Sequence, residues 1–192
     1  MMKKILLVGL VVIGFLFSGC DNKTSIDESV VVKSTSQDMD QKEFISENFT
    51  LITTQEKFIT LKSTAQGLDF EEFKGKKAVL VDVFATWCPP CIEALPMLKE
   101  MREKYKDDFE IVSVLFEKDK PKEEILEFIA KYEIPYPITM GEENFRLAKQ
   151  LGDVSKIPEM FLFTKEGRFV KRFVGNTSKE DLEQYINLAI KN

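Results

Sequence analysis

Past residue 45 or so, apolar and polar positions fall into short, distinct periods. Asn48 to Leu51 and Lys57 to Leu61 alternate over a few residues each, which predicts a β-hairpin. Leu68 to Phe73 suggests a short helix or turn, and Lys74-Gly75-Lys76-Lys77 a turn. Ala78-Val79-Leu80-Val81-Asp82-Val83-Phe84 is then almost continuously apolar, the pattern of a strand buried on both faces. Ile92, Leu95, Leu98 and Met101 recur at helical spacing and predict a helix to about Lys106, with Pro96 as a kink inside it. Phe109 to Phe116 is a second buried strand. Lys122 to Tyr132 and Asn144 to Leu151 are helices, the first opening beside Pro121 and the second stopped by Gly152. Met160 to Thr164 and Arg168 to Val174 flank the turn Lys165-Glu166-Gly167 as a hairpin. A last helix starts at Thr177, with Glu180 three residues on as a capping box. The order β, β, β-α-β, α, α, β, β, α has six strands. It predicts an α/β domain with a mixed sheet and helices on both faces.

The first 46 residues follow different rules. Lys3 and Lys4 precede an apolar run of thirteen residues, Ile5 to Phe17. A bilayer core of about 30 Å needs about 20 such residues, so the run fits a secretory signal better than a membrane span. Ser18-Gly19-Cys20 resembles the end of a bacterial lipoprotein signal, which implies cleavage after residue 19 and lipid attachment at Cys20. Asp21 resembles the inner-membrane retention signal of some bacteria. Residues 20–46, rich in Ser, Thr, Asp and Lys, read as a tether. Residues 47–192 read as the folded domain. The expected location is a bacterial cell membrane lipoprotein whose domain faces the periplasm or extracytoplasmic space.

Composition narrows the chemistry. The net charge of −5 gives no reason to expect nucleic acid, and an acidic domain would need its anchor to stay on an anionic membrane. There is no histidine, which excludes Ser-His-Asp and Cys-His catalysis. Of three cysteines, two form Trp87-Cys88-Pro89-Pro90-Cys91. They stand directly after a buried strand and at a helix start, where unsatisfied N–H groups and the helix dipole favour an anion. A thiolate at Cys88 gains from that setting, and the two-residue spacing lets Cys91 close a small ring with it. Cys88 is expected to be exposed and Cys91 more buried. Half of a zinc site or an inert disulfide are the plain alternatives. Zinc wants four ligands, and neither a second Cys pair nor a His is present.

Val81 to Cys91 resembles the active-site strand and helix start of the thioredoxin superfamily. Pro96 matches that family's kinked helix, and Ile157-Pro158 its cis-proline. Asn48 to Leu51 and Phe73 to Lys76 are similar to the N-terminal hairpin of the TlpA/ResA-type lipoproteins, and Lys122 to Tyr132 to their central helical insertion. The resemblance implies a thioredoxin-like fold over about residues 47 to 190 and a thiol–disulfide oxidoreductase, with no cofactor beyond a redox-active Cys88–Cys91 disulfide. Cys88 would attack a substrate disulfide and Cys91 would resolve the mixed disulfide. Asp82, six residues before Cys88, would be a buried carboxyl that takes the Cys91 proton; otherwise it is a partly exposed strand residue. Trp87, Pro89, Pro90, Ile157 and Pro158 would contact substrate, with Trp87 either a surface platform or core filler. Glu159 departs from the family's usual Thr.

The implied partners are disulfide-containing extracytoplasmic proteins, apocytochrome c among them, and a membrane thiol donor of DsbD/CcdA type. With proline at both 89 and 90, neither residue can donate an N–H to the Cys88 sulfur, which points to a reductant rather than an oxidase or isomerase. A peroxiredoxin-like thiol peroxidase is the rival enzyme, although the Pro-x-x-x-Thr-x-x-Cys arrangement is absent. A non-catalytic interaction or chaperone module is the rival from another class.

Overall fold

The computed structural model describes residues 46–192, all within one compact unit. The signal segment, Cys20 and the tether therefore lie outside the described residues, apart from residue 46. The elements are β1 (Asn48–Thr53), β2 (Phe58–Thr64), β3 (Gly67–Phe70), β4 (Ala78–Phe84), α1 (Pro89–Lys104), β5 (Phe109–Leu115), α2 (Lys122–Tyr132), β6 (Ile138–Met140), α3 (Glu142–Gln150), β7 (Glu159–Phe163), β8 (Phe169–Val174) and α4 (Lys179–Lys191). The strands form one sheet in the order β3-β2-β1-β6-β5-β4-β7-β8. β4, β5 and β6 run parallel, and the other pairings are antiparallel. The fold is the expected α/β mixed sheet, with eight strands among the described residues rather than six.

Both extra strands are short. β3 occupies the segment expected as a helix or turn. Its Leu68 and Phe70 are buried and its Asp69 is not, so a four-residue alternation pairs with β2 before the chain turns at residues 71–76. β6 is three residues following Pro135 and Pro137, too short to show a period. It completes the bridge between the N-terminal meander and the parallel strands. The last helix begins one residue later than expected. Ser178 is its N-cap, accepting a bond from Asp181 N–H at 3.1 Å, so Ser178 and Asp181 replace Thr177 and Glu180.

All seven residues of β4 are buried, as are all seven of β5. On one face of the sheet, Ala78, Leu80 and Phe84 pack with Leu95, Leu98 and Met101 of α1, Ile125 and Phe128 of α2, and Leu182, Ile186 and Ala189 of α4. On the other, Val79, Val81 and Val83 pack with Leu147, Ala148 and Leu151 of α3 and with the inward residues of β1–β3. Helices thus cover both faces. Asn144, fully buried, donates to the Leu115 and Thr139 carbonyls at 2.9 Å and ties α3 to the ends of β5 and β6.

The outer strands also meet. Gly67 and Arg168 form an isolated bridge, Leu68 N–H donates to Gly167 O at 2.9 Å, and Phe169 N–H donates to Gln66 O at 2.8 Å. This approach leaves no room for side chains. A Cβ on Gly67 would stand 2.3 Å from Gly167 O, and one on Gly167 (φ 79°) would stand 2.4 Å from Leu68 O. Gly167→Ala is expected to cost about 2–3 kcal/mol in urea unfolding, from steric conflict plus left-handed strain. An unchanged midpoint would show that the two turns separate freely.

Candidate active site

β4 ends at Phe84, and Ala85 to Cys88 form a turn closed by Cys88 N–H donating to Ala85 O at 3.2 Å. Cys88 is the N-cap of α1 in extended conformation, with Pro89 and Pro90 as the first helical residues. Proline suits that position because its fixed φ is helical and its missing N–H would be unpaired anyway. Ile92 N–H already donates to Cys88 O at 3.1 Å. The first helical turn therefore keeps only the Cys91 N–H to offer a sulfur.

Cys88 and Cys91 are joined as a disulfide, with Cα atoms 5.3 Å apart. Their exposures are 3% and 4%, so the expected contrast between an open Cys88 and a covered Cys91 is absent. The disulfide is tucked into the cluster with Ala85 and Leu95, and Cys88 Sγ lies 3.8 Å from the Ile157 carbonyl oxygen. The Ile157–Pro158 bond is cis, and Pro158 O accepts from Gly175 N–H at 2.9 Å. Trp87 stands 67% exposed beside the cysteines, a surface platform and not core. Pro89 is exposed, while Pro90 and Ile157 are half-buried. The site residues named from sequence thus converge on the loops at the carboxyl end of β4 and the start of β7.

Asp82 is buried in mid-strand on the face shared by Leu80, Phe84 and the cysteines, as strand alternation requires. Ser113, its register partner on β5, donates a hydrogen bond to its Oδ2 at 2.9 Å. Burial pushes the Asp82 carboxyl up to about 6, the Ser113 bond only partly opposing it. Tyr136, two residues before β6, is buried nearby, its hydroxyl unpartnered among the described residues. Burial, with the Asp82 charge adding to it, raises its phenol well above the ordinary range. A carboxyl raised to about 6 on the same side of the sheet as a thiol pair is ionised enough near neutral pH to accept a proton from Cys91 and to hold it better than an ordinary carboxylate.

Three further residues lie at the site, of which Ser113 and Glu117 are placed there only by the structure. Ser113 read as one more apolar-strand position, because its partner is 31 residues away. Glu159, beside Pro158, is 2% exposed and accepts from Arg172 Nε at 2.8 Å, with the guanidinium over the Phe161 ring. Glu117 accepts two bonds from Thr86, next to Trp87. A lone acid or serine carries no local signal of such non-local contacts. The departure at Glu159 was the one visible hint.

The Redoxin family profile matches residues 46–187. Thiol-disulfide oxidoreductase ResA of Bacillus cereus is 29% identical over 113 residues, 57% of this chain and 62% of that protein. Thioredoxin-like protein YneN of Bacillus subtilis is 28% identical over 116 residues, 60% of this chain and 66% of that protein. The chain thus spans less than two thirds of the length of these curated relatives. A thiol:disulfide interchange protein of Chlorobium tepidum TLS superposes with a TM-score of 0.58 at 23% identity, covering 79% of this chain and 99% of that one. StoA of Bacillus subtilis superposes with a TM-score of 0.57 at 22% identity, covering 73% and 97%. These two superpositions establish the thioredoxin-like fold.

The buried acid has a testable signature. The folded carboxyl holds its proton up to about 6, whereas the unfolded one loses it near 3.8. Between those values the folded state binds more protons, so stability falls as pH rises through that window and stays lower above it. A separation of about 2 pH units corresponds to about 3 kcal/mol. Asp82→Asn is therefore expected to gain up to about 3 kcal/mol in urea unfolding at pH 8 and almost nothing at pH 3.5. An equal effect at both pH values would remove the buried acid from the account.

Proposed function

The chain belongs to the Redoxin family, and from that premise we propose that it is an extracytoplasmic thiol–disulfide oxidoreductase that works as a disulfide reductase on other proteins. The observation that carries this reading is the Cys88–Cys91 disulfide at the start of α1, above a buried carboxyl and against the Ile157 carbonyl. The names of the ResA and YneN relatives agree with it.

In the reduced protein the Cys88 thiolate attacks one sulfur of a substrate disulfide. A mixed disulfide forms and the other substrate sulfur leaves as a thiolate. Cys91 gives up its proton, with Asp82 as the acceptor, and attacks the Cys88 sulfur. The Cys88–Cys91 disulfide closes and the second substrate sulfur leaves. Two electrons pass to the substrate, whose sulfurs end as thiols. The main-chain edge of half-buried Ile157, beside buried Pro158, suits an extended substrate segment bonded by its own main chain, and Trp87 adds apolar contact.

The direction follows from the donors around Cys88. Pro89 and Pro90 supply none, and the Ile92 N–H is spent on the helix. A poorly stabilised thiolate favours the disulfide, so the reduced protein is a good electron donor. A membrane dithiol donor of DsbD/CcdA type would restore the thiols, and apocytochrome c is one candidate acceptor. A lipid on Cys20 would hold the domain at the membrane. Among the described residues no helix is long and apolar enough to cross one.

Titration of the full chain carrying Cys20→Ser against a thiol redox buffer is expected to give a potential below about −230 mV. A value near −120 mV would make the protein an oxidase or isomerase. Cys91→Ala is expected to trap mixed disulfides with extracytoplasmic proteins. Recovery of no disulfide-linked partner would sink the reductase reading.

A further inference from the structure

The turn that presents Cys88 is gripped by a carboxylate 31 positions along the chain. Thr86 donates to Glu117 Oε1 twice, from its N–H at 2.5 Å and from its hydroxyl at 2.7 Å. Glu117 stands two residues beyond β5, where Phe116 N–H donates to Phe84 O at 2.8 Å. The segments leaving β4 and β5 therefore run side by side, and Glu117 reaches straight across to the turn. Its side chain is only 10% exposed. The second carboxylate oxygen faces Lys120 Nζ at 3.8 Å, but Lys120 lies closer to Glu124 of α2, at 2.7 Å. The three groups together hold one net negative charge.

That charge is close to the nucleophile. One residue separates Thr86 from Cys88, so their Cα atoms are at most about 7 Å apart, and Glu117 Oε1, bonded to the Thr86 N–H at 2.5 Å, lies within about 11 Å of the Cys88 Cα. The screening length is about 8 Å at physiological salt, and a carboxylate this largely buried is screened less than an exposed one. A negative charge at such range disfavours a thiolate and leaves a disulfide untouched. The other charged or titratable groups on the elements around Cys88 are Cys91, its disulfide partner; Asp82 and Tyr136 on the same side of the sheet; exposed Glu93 of α1; and, flanking Ile157 and Pro158, exposed Lys156 and the buried Glu159, which is paired with Arg172.

We propose that Glu117 is a positioning residue for the thiol exchange: it fixes the turn that ends at Cys88, and its charge biases the couple toward the disulfide, which makes the reduced protein a stronger reductant. The inference rests on the thiol-exchange reading above and goes beyond it, by assigning a redox-tuning role to a residue outside the cysteine motif. The two effects separate by substitution. Glu117→Gln keeps an acceptor oxygen for Thr86 and removes the charge, whereas Glu117→Ala removes both. Lys120→Met acts with the opposite sign, because it strips away the cation that partly offsets Glu117.

The test uses the full chain with Cys20→Ser, reduced, and follows the pH dependence of Cys88 alkylation by iodoacetamide and the equilibrium with glutathione. Glu117→Gln is expected to ionise Cys88 at lower pH, to speed alkylation at pH 7 several-fold, and to move the equilibrium several-fold toward the dithiol. Lys120→Met is expected to move both readings the other way. Glu117→Ala is expected to add a further loss in the rate of insulin reduction, since the turn is then unpinned. A residue that only supports the fold would lower the melting temperature and leave the ionisation of Cys88 in place. Superimposable alkylation profiles for the parent, Glu117→Gln and Lys120→Met would overturn the inference, and Lys120→Met alone decides it if the glutamine variant does not fold. A parent protein that reduces no disulfide overturns the thiol-exchange reading itself. An active parent with unmoved profiles overturns the role of Glu117 alone.

Discussion

The position of β4 between β5 and β7 governs where every reactive atom lies. Seven register pairs join β4 to β5 and five join it to β7, so the strand can neither slide nor tilt without breaking both ladders. A slip of one residue would turn Asp82 to the face occupied by Val79, Val81 and Val83. It would also carry the Ala85–Cys88 turn away from Ile157. The apolar burial of all seven residues therefore does more than stabilise the centre of the sheet. It fixes the height of one carboxyl beneath two sulfurs, and sets those sulfurs against the loop that enters β7.

Three acids are buried among the described residues, and their surroundings divide them by task. Glu110 meets Arg102 at 3.0 Å and Lys77 at 3.4 Å, and Glu159 meets Arg172. Each of these carboxylates meets a cation, and removing one partner would leave the other uncompensated. These two pairs hold β5 to α1 and β7 to β8. Asp82 has a serine where the others have a cation. A single neutral donor cannot offset its desolvation, so its proton stays on to about pH 6. The fold accepts a penalty there that it avoids at the other two sites, as expected of a group kept for proton exchange.

Much of this was legible in the chain because it is written in local patterns. The β4 run, the helix after the cysteines, the β7–β8 hairpin and Ile157-Pro158 each occupy a continuous segment with its own period or motif. What stayed hidden depends on distant partners or on very short elements. β3 is recognisable only once β2 lies beside it, and β6 is three residues long. Thr177/Glu180 and Ser178/Asp181 are overlapping capping patterns one residue apart, and only the hydrogen bond from Asp181 N–H chooses between them. The equal covering of Cys88 and Cys91 arises from the Ile157 loop, 69 positions away, which local spacing does not register. Ser113 and Glu117 look like ordinary strand and loop residues until β4 and β5 are aligned.

The same alignment explains why the chemistry of the pair is set by few groups. A helix N-terminus ordinarily supplies several N–H donors to an anion. Here two of the first helical residues are proline, and the next free amide belongs to Cys91 itself. The local field at Cys88 is therefore weak, and modest charges nearby carry more weight than they would over a full set of donors. Asp82 lies below the pair and Glu117 beside the turn, each brought there by the strand pairing of β4 with β5. On the reductase reading both act in one direction, since a negative charge close to a thiolate makes the disulfide the easier state to reach. The proline pair weakens the donors that would resist that bias, so motif and sheet register push the couple the same way.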